Sequence, residues 1–460
     1  MRGGKPRRPG QSPASPKTSG RPDRSPLPAK PGLAPRMAAV KLLAAVVEQK
    51  TSLDGMMDEE HGNPAYRALS PADRALTRAI LNSCLRQLTR IDAIFDRFLD
   101  KRLPDGARNL RHILAVAAAQ ILFLDVPDHS AVDLAVEQAR RDPRSARFAN
   151  LVNALLRRLV REKDTVLADV GAGVPVFPAW FQQRLEAVYG AAAARDIGEV
   201  CLTPAPVDIT VKSDPEAWAA RLGGSVLPTG SVRLPAFEGA VTELAGFAEG
   251  AWWVQDAAAA IPARLFGDLH GKAVADLCAA PGGKTAQLVL SGGDVTAVEQ
   301  SASRMKRLKS NLARLGMEAS FVQSKLEELA GEPRFDAILL DAPCSSTGTI
   351  RRHPDVFWTK DMADVEKLAG VQARLLRHAF GLLRPGGTLV FSNCSLDPLE
   401  GEDLVDRFLA ETPEAARLPV RREDWPGLEA AIDGKGDVRT TPAMLGGMDG
   451  FYAAVLTRRS

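Results

Sequence analysis

From Met37 to about Lys163, apolar residues return every three or four positions, the period of helices that bury one stripe. MAAVKLLAAVVEQ, ADRALTRAILNSCLRQLTRIDAIFDRFLDKR, LRHILAVAAAQILFL, AVDLAVEQARR and FANLVNALLRRLVREK all carry it. Ser70 followed by Pro71 marks a helix start: a capping side chain ahead of a residue whose missing N–H is harmless there. The loops between are short, so residues 37–165 are predicted to form an all-α bundle. Residues 166–250 mix Pro-rich turns (VPVFPAW, LTPAP), one helix (WFQQRLEAVYG) and short alternating segments (VDITVK, SVRLP). They predict a small α+β subdomain joining two larger parts. Over 251–460, strand segments AVADLCA, DVTAVE, ASFVQS, FDAILLDAP, GTLVFSN and FYAAVLTR alternate with helical KTAQLVL, SASRMKRLKSNLARLG, VEKLAGVQARLLRHAFGLL and EGEDLVDRFLAE. That alternation predicts a parallel sheet with helices on both faces. The fold class is therefore multi-domain, all-α first and α/β second.

Residues 1–36 fit none of these patterns. They hold nine prolines and five glycines, with almost nothing large and apolar. Too little surface can be buried there to offset ordering entropy, so a disordered tail is expected. Nine Lys/Arg face a single acid, Asp23, in this tail, while the whole chain is only +3, so the body is net acidic. The tail either solubilises the chain or adds non-specific affinity for RNA. Within the acidic body, residues 140–163 carry Arg140, Arg141, Arg144, Arg147, Arg157, Arg158, Arg161 and Lys163 against Asp142 and Glu162. This predicts a polyanion-binding face, with Arg157 and Arg158 as candidate RNA contacts. Arg304, Lys306, Arg307, Lys309 and Arg314 read instead as a solvated helix face.

Five cysteines occur with no CxxC pair and no Cys/His cluster, so no metal site is expected. Such a sparse, odd set fits reduced thiols in a cytoplasmic protein. No apolar run approaches the roughly 20 residues that span a bilayer, and the basic N-terminus leads into no apolar segment, so no membrane partner and no secretory leader are expected.

The chemistry concentrates at strand ends, where open parallel sheets bind ligands. The first strand of the α/β part runs into Asp276-Leu-Cys278-Ala279-Ala280-Pro281-Gly282-Gly283-Lys284, ahead of a helix. Glycines admit close backbone approach, and a helix start offers free N–H groups. GxGxxG and GxxxxGK[ST] are both absent, which disfavours a dinucleotide, hydride transfer and a phosphate cradle. Glu299 ends the next strand, where an acid commonly accepts from ribose hydroxyls. A nucleoside without phosphate fits, and S-adenosyl-L-methionine is the common cofactor of that kind. Cys344 and Cys394 then close two further strands. Cysteine is usually a small buried hydrophobe, and Cys84 and Cys201 are read so.

DLCAAPGGKT, LLDAPCSSTGTIRRHPDVFW and FSNCSLDPLEGED resemble the cofactor and catalytic motifs of the NOL1/NOP2/Sun family of RNA cytosine-5 methyltransferases. WWVQDAAA and MDGFYAAVL resemble that family's flanking segments, and the bundle, with HSAVDLAVE and FANLVNALLRRL, resembles the antitermination factor NusB. The likeness covers about residues 37–460 and implies a Rossmann-like class I methyltransferase domain behind a NusB-like RNA-binding domain. Together the parts are similar to bacterial members acting on 16S ribosomal RNA. The resemblance implies that Cys394 attacks C6 of the base, because C5 of cytosine is a poor nucleophile until a thiolate adds. It implies that Cys344 helps release the product and that Asp341 faces both the cofactor and the base edge. Residues 278–284, Glu299, Ser324 and Asp341 are the expected cofactor contacts; Arg351, Arg352 and His353, following the Cys344 loop, are expected over the RNA backbone. The chain departs from the family at three places. Ser324 stands where an adenine-contacting acid is expected, Asn393 replaces threonine before Cys394, and Glu400 is followed by Gly401 rather than asparagine. A monomer is expected. The rival readings are a cytosine methyltransferase on tRNA or DNA, where the Pro-Cys thiol is the DNA enzymes' nucleophile, and a non-catalytic ribosome-assembly protein.

Overall fold

The computed structural model describes residues 1, 3–4, 30–58, 60–101, 103–237, 239–329, 332 and 334–460. The proposed disordered tail lies largely outside the described residues. Its end does not follow the expectation: α1 spans Leu33–Gln49, so the bundle starts before Met37. Pro35 falls in the first helical turn, where no N–H is needed, and Arg36 is buried, its Nε donating to Gln120 Oε1 at 2.9 Å.

The bundle continues through α2 (Leu53–Met56), α3 (Pro64–Arg67), α4 (Pro71–Phe98), α5 (Arg108–Phe123), α6 (Asp128–Arg141) and α7 (Ala149–Arg161). Ser70 caps α4 as predicted, accepting from the Asp73 N–H. The apolar stripes meet in one core that includes Leu42, Ile80, Leu85, Ile113 and Leu156. Helix α8 (Lys163–Gly173) adds Val166 and Val170 to that core, so the bundle runs past residue 165.

Helix α9 (Ala179–Cys201) leads to a small antiparallel sheet of β1 (Asp208–Val211), β2 (Ser225–Val226), β3 (Val232–Arg233) and β4 (Trp252–Val254), in order β2-β3-β1-β4, with α10 (Pro215–Leu222) beside it. The α+β subdomain thus extends beyond residue 250.

Helix α11 (Ile261–Arg264) opens the third part. The α/β domain holds β5 (Ala273–Leu277), α12 (Gly283–Leu290), β6 (Asp294–Val298), α13 (Ala302–Arg314), β7 (Ser320–Val322), β8 (Phe335–Asp341), α14 (Val356–Thr359), α15 (Met362–Gly381), β9 (Leu383–Asn393), α16 (Glu402–Glu411), β10 (Ala415–Arg417), β11 (Val438–Arg439) and β12 (Tyr452–Arg458). The main path is β10-β12-β9-β8-β5-β6-β7, and β11 pairs with β12. Strands β5 to β9 pair in parallel, while β12 runs antiparallel to β9. The sheet is therefore mixed: β12 is inserted antiparallel between β9 and β10. Central strands are apolar on both sides, as in AILL of β8 (Ala337–Leu340), because helices cover both faces.

The segment after the Cys344 loop docks into the bundle. Arg86 Nη2 donates to the Arg351 carbonyl at 3.0 Å, the Leu53 N–H to Asp355 Oδ2 at 2.9 Å, and Trp358 Nε1 to the Leu85 carbonyl at 3.1 Å. Phe357 lies buried against Phe177, with ring centroids 5.3 Å apart.

Candidate active site

Strand β5 delivers the glycine-rich turn, in which Cys278 has a left-handed backbone (φ 69°). The turn, with Trp253, Gln255, Asn311, Arg314 and Asp341, lines a cavity of about 420 Å³. Residues 278–284 all line it. Glu299 is buried just outside the lining. Its Oε1 accepts from the Ser301 N–H at 2.9 Å, and its Oε2 faces Arg304 at 3.3 Å without a hydrogen bond. Asp276 Oδ1 and Ser324 Oγ are also buried without partners. Unpartnered acceptors around an N–H-rich turn suit a ligand that brings hydroxyl and amino donors, which is how a nucleoside such as S-adenosyl-L-methionine fits here. Burial, against a hydrogen bond from Thr285, pushes Asp276 up to about 7. Burial likewise pushes the Cys278 thiol up to about 12, so Cys278 is a small wall residue rather than a nucleophile.

Arg304, Lys306, Arg307 and Lys309 are exposed, as a solvated helix face requires, and only Arg314 is half-buried. Arg304 donates to the Ala280 carbonyl at 2.9 Å, and Arg314 to the Phe247 and Trp252 carbonyls at 2.7 and 3.1 Å.

Strands β8 and β9 are neighbours in parallel register, which carries their C-terminal residues side by side. Cys344 Sγ and Cys394 Sγ stand 3.3 Å apart. Gly348 makes the contact between the loops possible. Its N–H donates to the Cys394 carbonyl at 2.8 Å, and a Cβ there falls 1.9 Å from the Gly450 carbonyl oxygen. Asp341 accepts from Lys284 Nζ at 2.7 Å and from Ser392 Oγ at 3.0 Å. The sulfurs share one hydrogen bond, which lowers Cys394 and, with burial, raises Cys344 well above a free thiol. Cys84 and Cys201 are core residues, as expected, with Cys201 pushed up to about 12 by burial.

The cluster expected over RNA divides. Arg351 is only 1% exposed, and its Nη2 pairs with Asp256 Oδ2 at 2.7 Å. The buried carboxylates Asp256 and Asp449 need a cation, and Arg351 is consumed inside. His353 faces Asp54 of the bundle at 3.1 Å. Arg352 alone reaches the cavity while forking onto Asp449. In the bundle, Arg157 lines an open groove of about 860 Å³ between α6 and α7 with Arg140 and Arg161. Arg158 turns away, pairing with Glu162 at 2.9 Å and lying 4.1 Å over the Phe98 ring.

Two departures have structural reasons. Asn393 is fully buried; its Nδ2 donates to the Glu400 carbonyl at 2.6 Å and its Oδ1 accepts from the Ser395 N–H at 2.9 Å. A Cβ at Gly401 falls 2.5 Å from Arg439 Nη2 and 2.9 Å from the Tyr452 ring, so asparagine has no room. Sequence reasoning missed the buried acids Asp256 and Asp449 and the part played by Glu400. A signal for the last was present: a serine follows each active-site cysteine.

A nucleoside cavity at the carboxyl ends of a doubly covered sheet defines an S-adenosylmethionine-dependent methyltransferase. The family model described as 16S rRNA methyltransferase RsmB/F matches residues 268–457, and the NusB family model matches 33–161. A ribosomal RNA small subunit methyltransferase B of Vibrio vulnificus is 34% identical over 445 residues, covering 92% of this chain and 99% of its own. That of Salmonella paratyphi B is 32% identical over 441 residues, covering 92% and 98%. The chain belongs to the RsmB/F family of RNA methyltransferases. The fold also matches the crystal structure of PH0851, at TM-score 0.70 and 21% identity over 94% of this chain and 99% of that one. NSun6 of Pyrococcus horikoshii, solved with SFG, matches at TM-score 0.53 and 19% identity over 62% and 99%. Among the described residues no helix is long and apolar enough to cross a membrane, and no group of acids, histidines and cysteines could hold a metal.

Proposed function

We propose that this enzyme methylates C5 of a cytosine in small-subunit (16S) ribosomal RNA, with Cys394 as covalent nucleophile. One observation carries the reading: two thiols 3.3 Å apart at the ends of β8 and β9, with β8 carrying Asp341 into the cofactor cavity's lining. S-adenosylmethionine, held by residues 278–284 with Asp276 and Glu299 behind them, supplies a methyl group on a sulfonium. The Cys394 thiolate adds to C6, and the C5–C6 π pair moves onto C5, which becomes nucleophilic. A proton held between Asp341 and N3 takes up the charge that addition places on the ring. Once C5 carries methyl, its remaining proton must leave. Bonding Cys394 to carbon removes the hydrogen bond that held the Cys344 proton; that proton passes to solvent, and the Cys344 thiolate takes the C5 proton. The C5–C6 double bond re-forms and Cys394 departs.

The base must arrive unstacked. A second cavity of about 610 Å³ lies between α4 and residues 202–208 and 254–256 of the α+β part, and shares Val254, Gln255, Asp256 and Arg352 with the cofactor cavity. Buried, unpartnered Gln87 Oε1 and Arg86 Nε belong to residues that line it, which suits an RNA strand leading to the thiols.

Separate cysteine substitutions test the reading. Cys394→Ala abolishes transfer to small-subunit rRNA, while Cys344→Ala traps an RNA–protein adduct that survives denaturing electrophoresis. Activity retained in Cys394→Ala and lost in Cys344→Ala reverses the roles. Bisulfite sequencing of rRNA from a deletion strain identifies the cytosine.

A further inference from the structure

Each active-site cysteine is followed by a serine, and the two serines meet as closely as the two sulfurs. Ser345 Oγ and Ser395 Oγ lie 3.2 Å apart, and both donate to Glu400 Oε2 at 2.5 Å. The other oxygen, Oε1, accepts from the Ser345 N–H at 2.9 Å and from Gln372 Nε2 at 2.7 Å. Ser345, Ser395, Gln372 and Glu400 are all fully buried. One carboxylate thus clasps the two cysteine loops from behind. Burial raises the Glu400 carboxyl above its ordinary range, and the four donors oppose that by favouring the charged form.

Other charges face the sulfurs. Asp341 and Asp449 stand toward Cys394, but each is matched by a cation, Lys284 and Arg352 respectively. Ser346 offers its hydroxyl to Cys394 and its N–H to Cys344. Glu400 is held by neutral donors only, and its charge acts on Cys344. An unmatched negative charge behind one sulfur of a pair that shares a proton keeps the proton on that sulfur.

We propose that Glu400 is the positioning residue of the thiol pair: it locks the two Cys-Ser loops together and directs ionisation to Cys394. The proposal rests on the covalent Cys394 reading. It assigns no contact with RNA or cofactor to Glu400.

The test is competitive alkylation by iodoacetamide across a pH series, with both cysteine peptides quantified by mass spectrometry. It needs neither RNA nor cofactor, so its outcome is independent of the adduct experiment above. In the wild type Cys394 is labelled first. Glu400→Gln keeps the shape: with its NH2 in the place of Oε2 it donates to both hydroxyls, and its oxygen still accepts from the Ser345 N–H and Gln372 Nε2, but the charge is gone. The Cys344-to-Cys394 labelling ratio then rises about tenfold, the effect of about one pH unit in relative acidity, and the pH profile of methyl transfer changes with it. An unchanged ratio in a Glu400→Gln protein that melts cooperatively overturns the proposal. Should that variant fail to fold, Ser345→Ala decides: it opens the clasp while the carboxylate stays. It is expected to lower kcat about tenfold with KM for RNA unchanged, and full kcat overturns the proposal.

Discussion

Asp276 holds its proton to about pH 7 because it is wholly buried behind the cofactor turn. Its folded pKa lies above the ordinary carboxylate value, so unfolding releases a proton between roughly pH 4 and 7. The wild type therefore loses stability relative to Asp276→Asn as pH climbs through that window, and the gap is constant above it. At pH 8 the gap is at most about 4 kcal/mol, since each pH unit separating the folded and unfolded values is worth about 1.4 kcal/mol. Urea midpoints of both proteins at pH 5 and pH 8 measure it; a gap that does not widen refutes the buried charge. The residues of this site are legible in the sequence where a motif carries the chemistry. The turn 278–284, Asp341 and the cysteines reach one place because strand ends converge. Arg351 is not legible, because charge in a sequence says nothing about direction. Its guanidinium answers Asp256 and Asp449, whose burial only the fold discloses.

At the level of elements, α14 is the smallest helix that matters. It presents Phe357 to Phe177 and Trp358 to the end of Leu85, joining the Cys344 loop to the bundle. Phe357→Ala removes a buried aromatic and is expected to cost about 3–4 kcal/mol. Differential scanning calorimetry reads that as a lower transition temperature, and methyl transfer falls with it because the loop loses its anchor. The long elements are legible, since α4, α5 and β8 carry clear periods and a definite cap. The antiparallel insertion of β12 is not, because FYAAVLTR is apolar whichever way it runs. Nor is α14, four residues whose helicity comes from docking rather than from a repeating stripe.

At the scale of the whole molecule the proposed RNA path has two separate features, the cavity between α4 and the α+β part and the arginine-lined groove of α6 and α7. Replacing Arg140, Arg157 and Arg161 by alanine is expected to weaken RNA binding without choosing among sequences. The slope of log affinity against log salt should fall by about 2–3, near one for each phosphate no longer neutralised. Filter binding at several salt concentrations decides, and an unchanged slope removes the groove from the RNA path. A chain beginning at residue 174 keeps Phe177 but loses Leu53, Leu85 and Arg86, the bundle's hydrogen-bonding partners of the 351–359 segment. Amide exchange in that segment is then expected to quicken by about a hundredfold or more; unchanged protection shows the catalytic part to be self-sufficient.

The docking of residues 351–359 also bears on inheritance. A bundle taken from one relative and joined to the catalytic part of another arrives with a mismatched seat for α14. The two parts must therefore descend together, and a working chimera needs its junctions drawn so that this short stretch travels with the bundle that receives it.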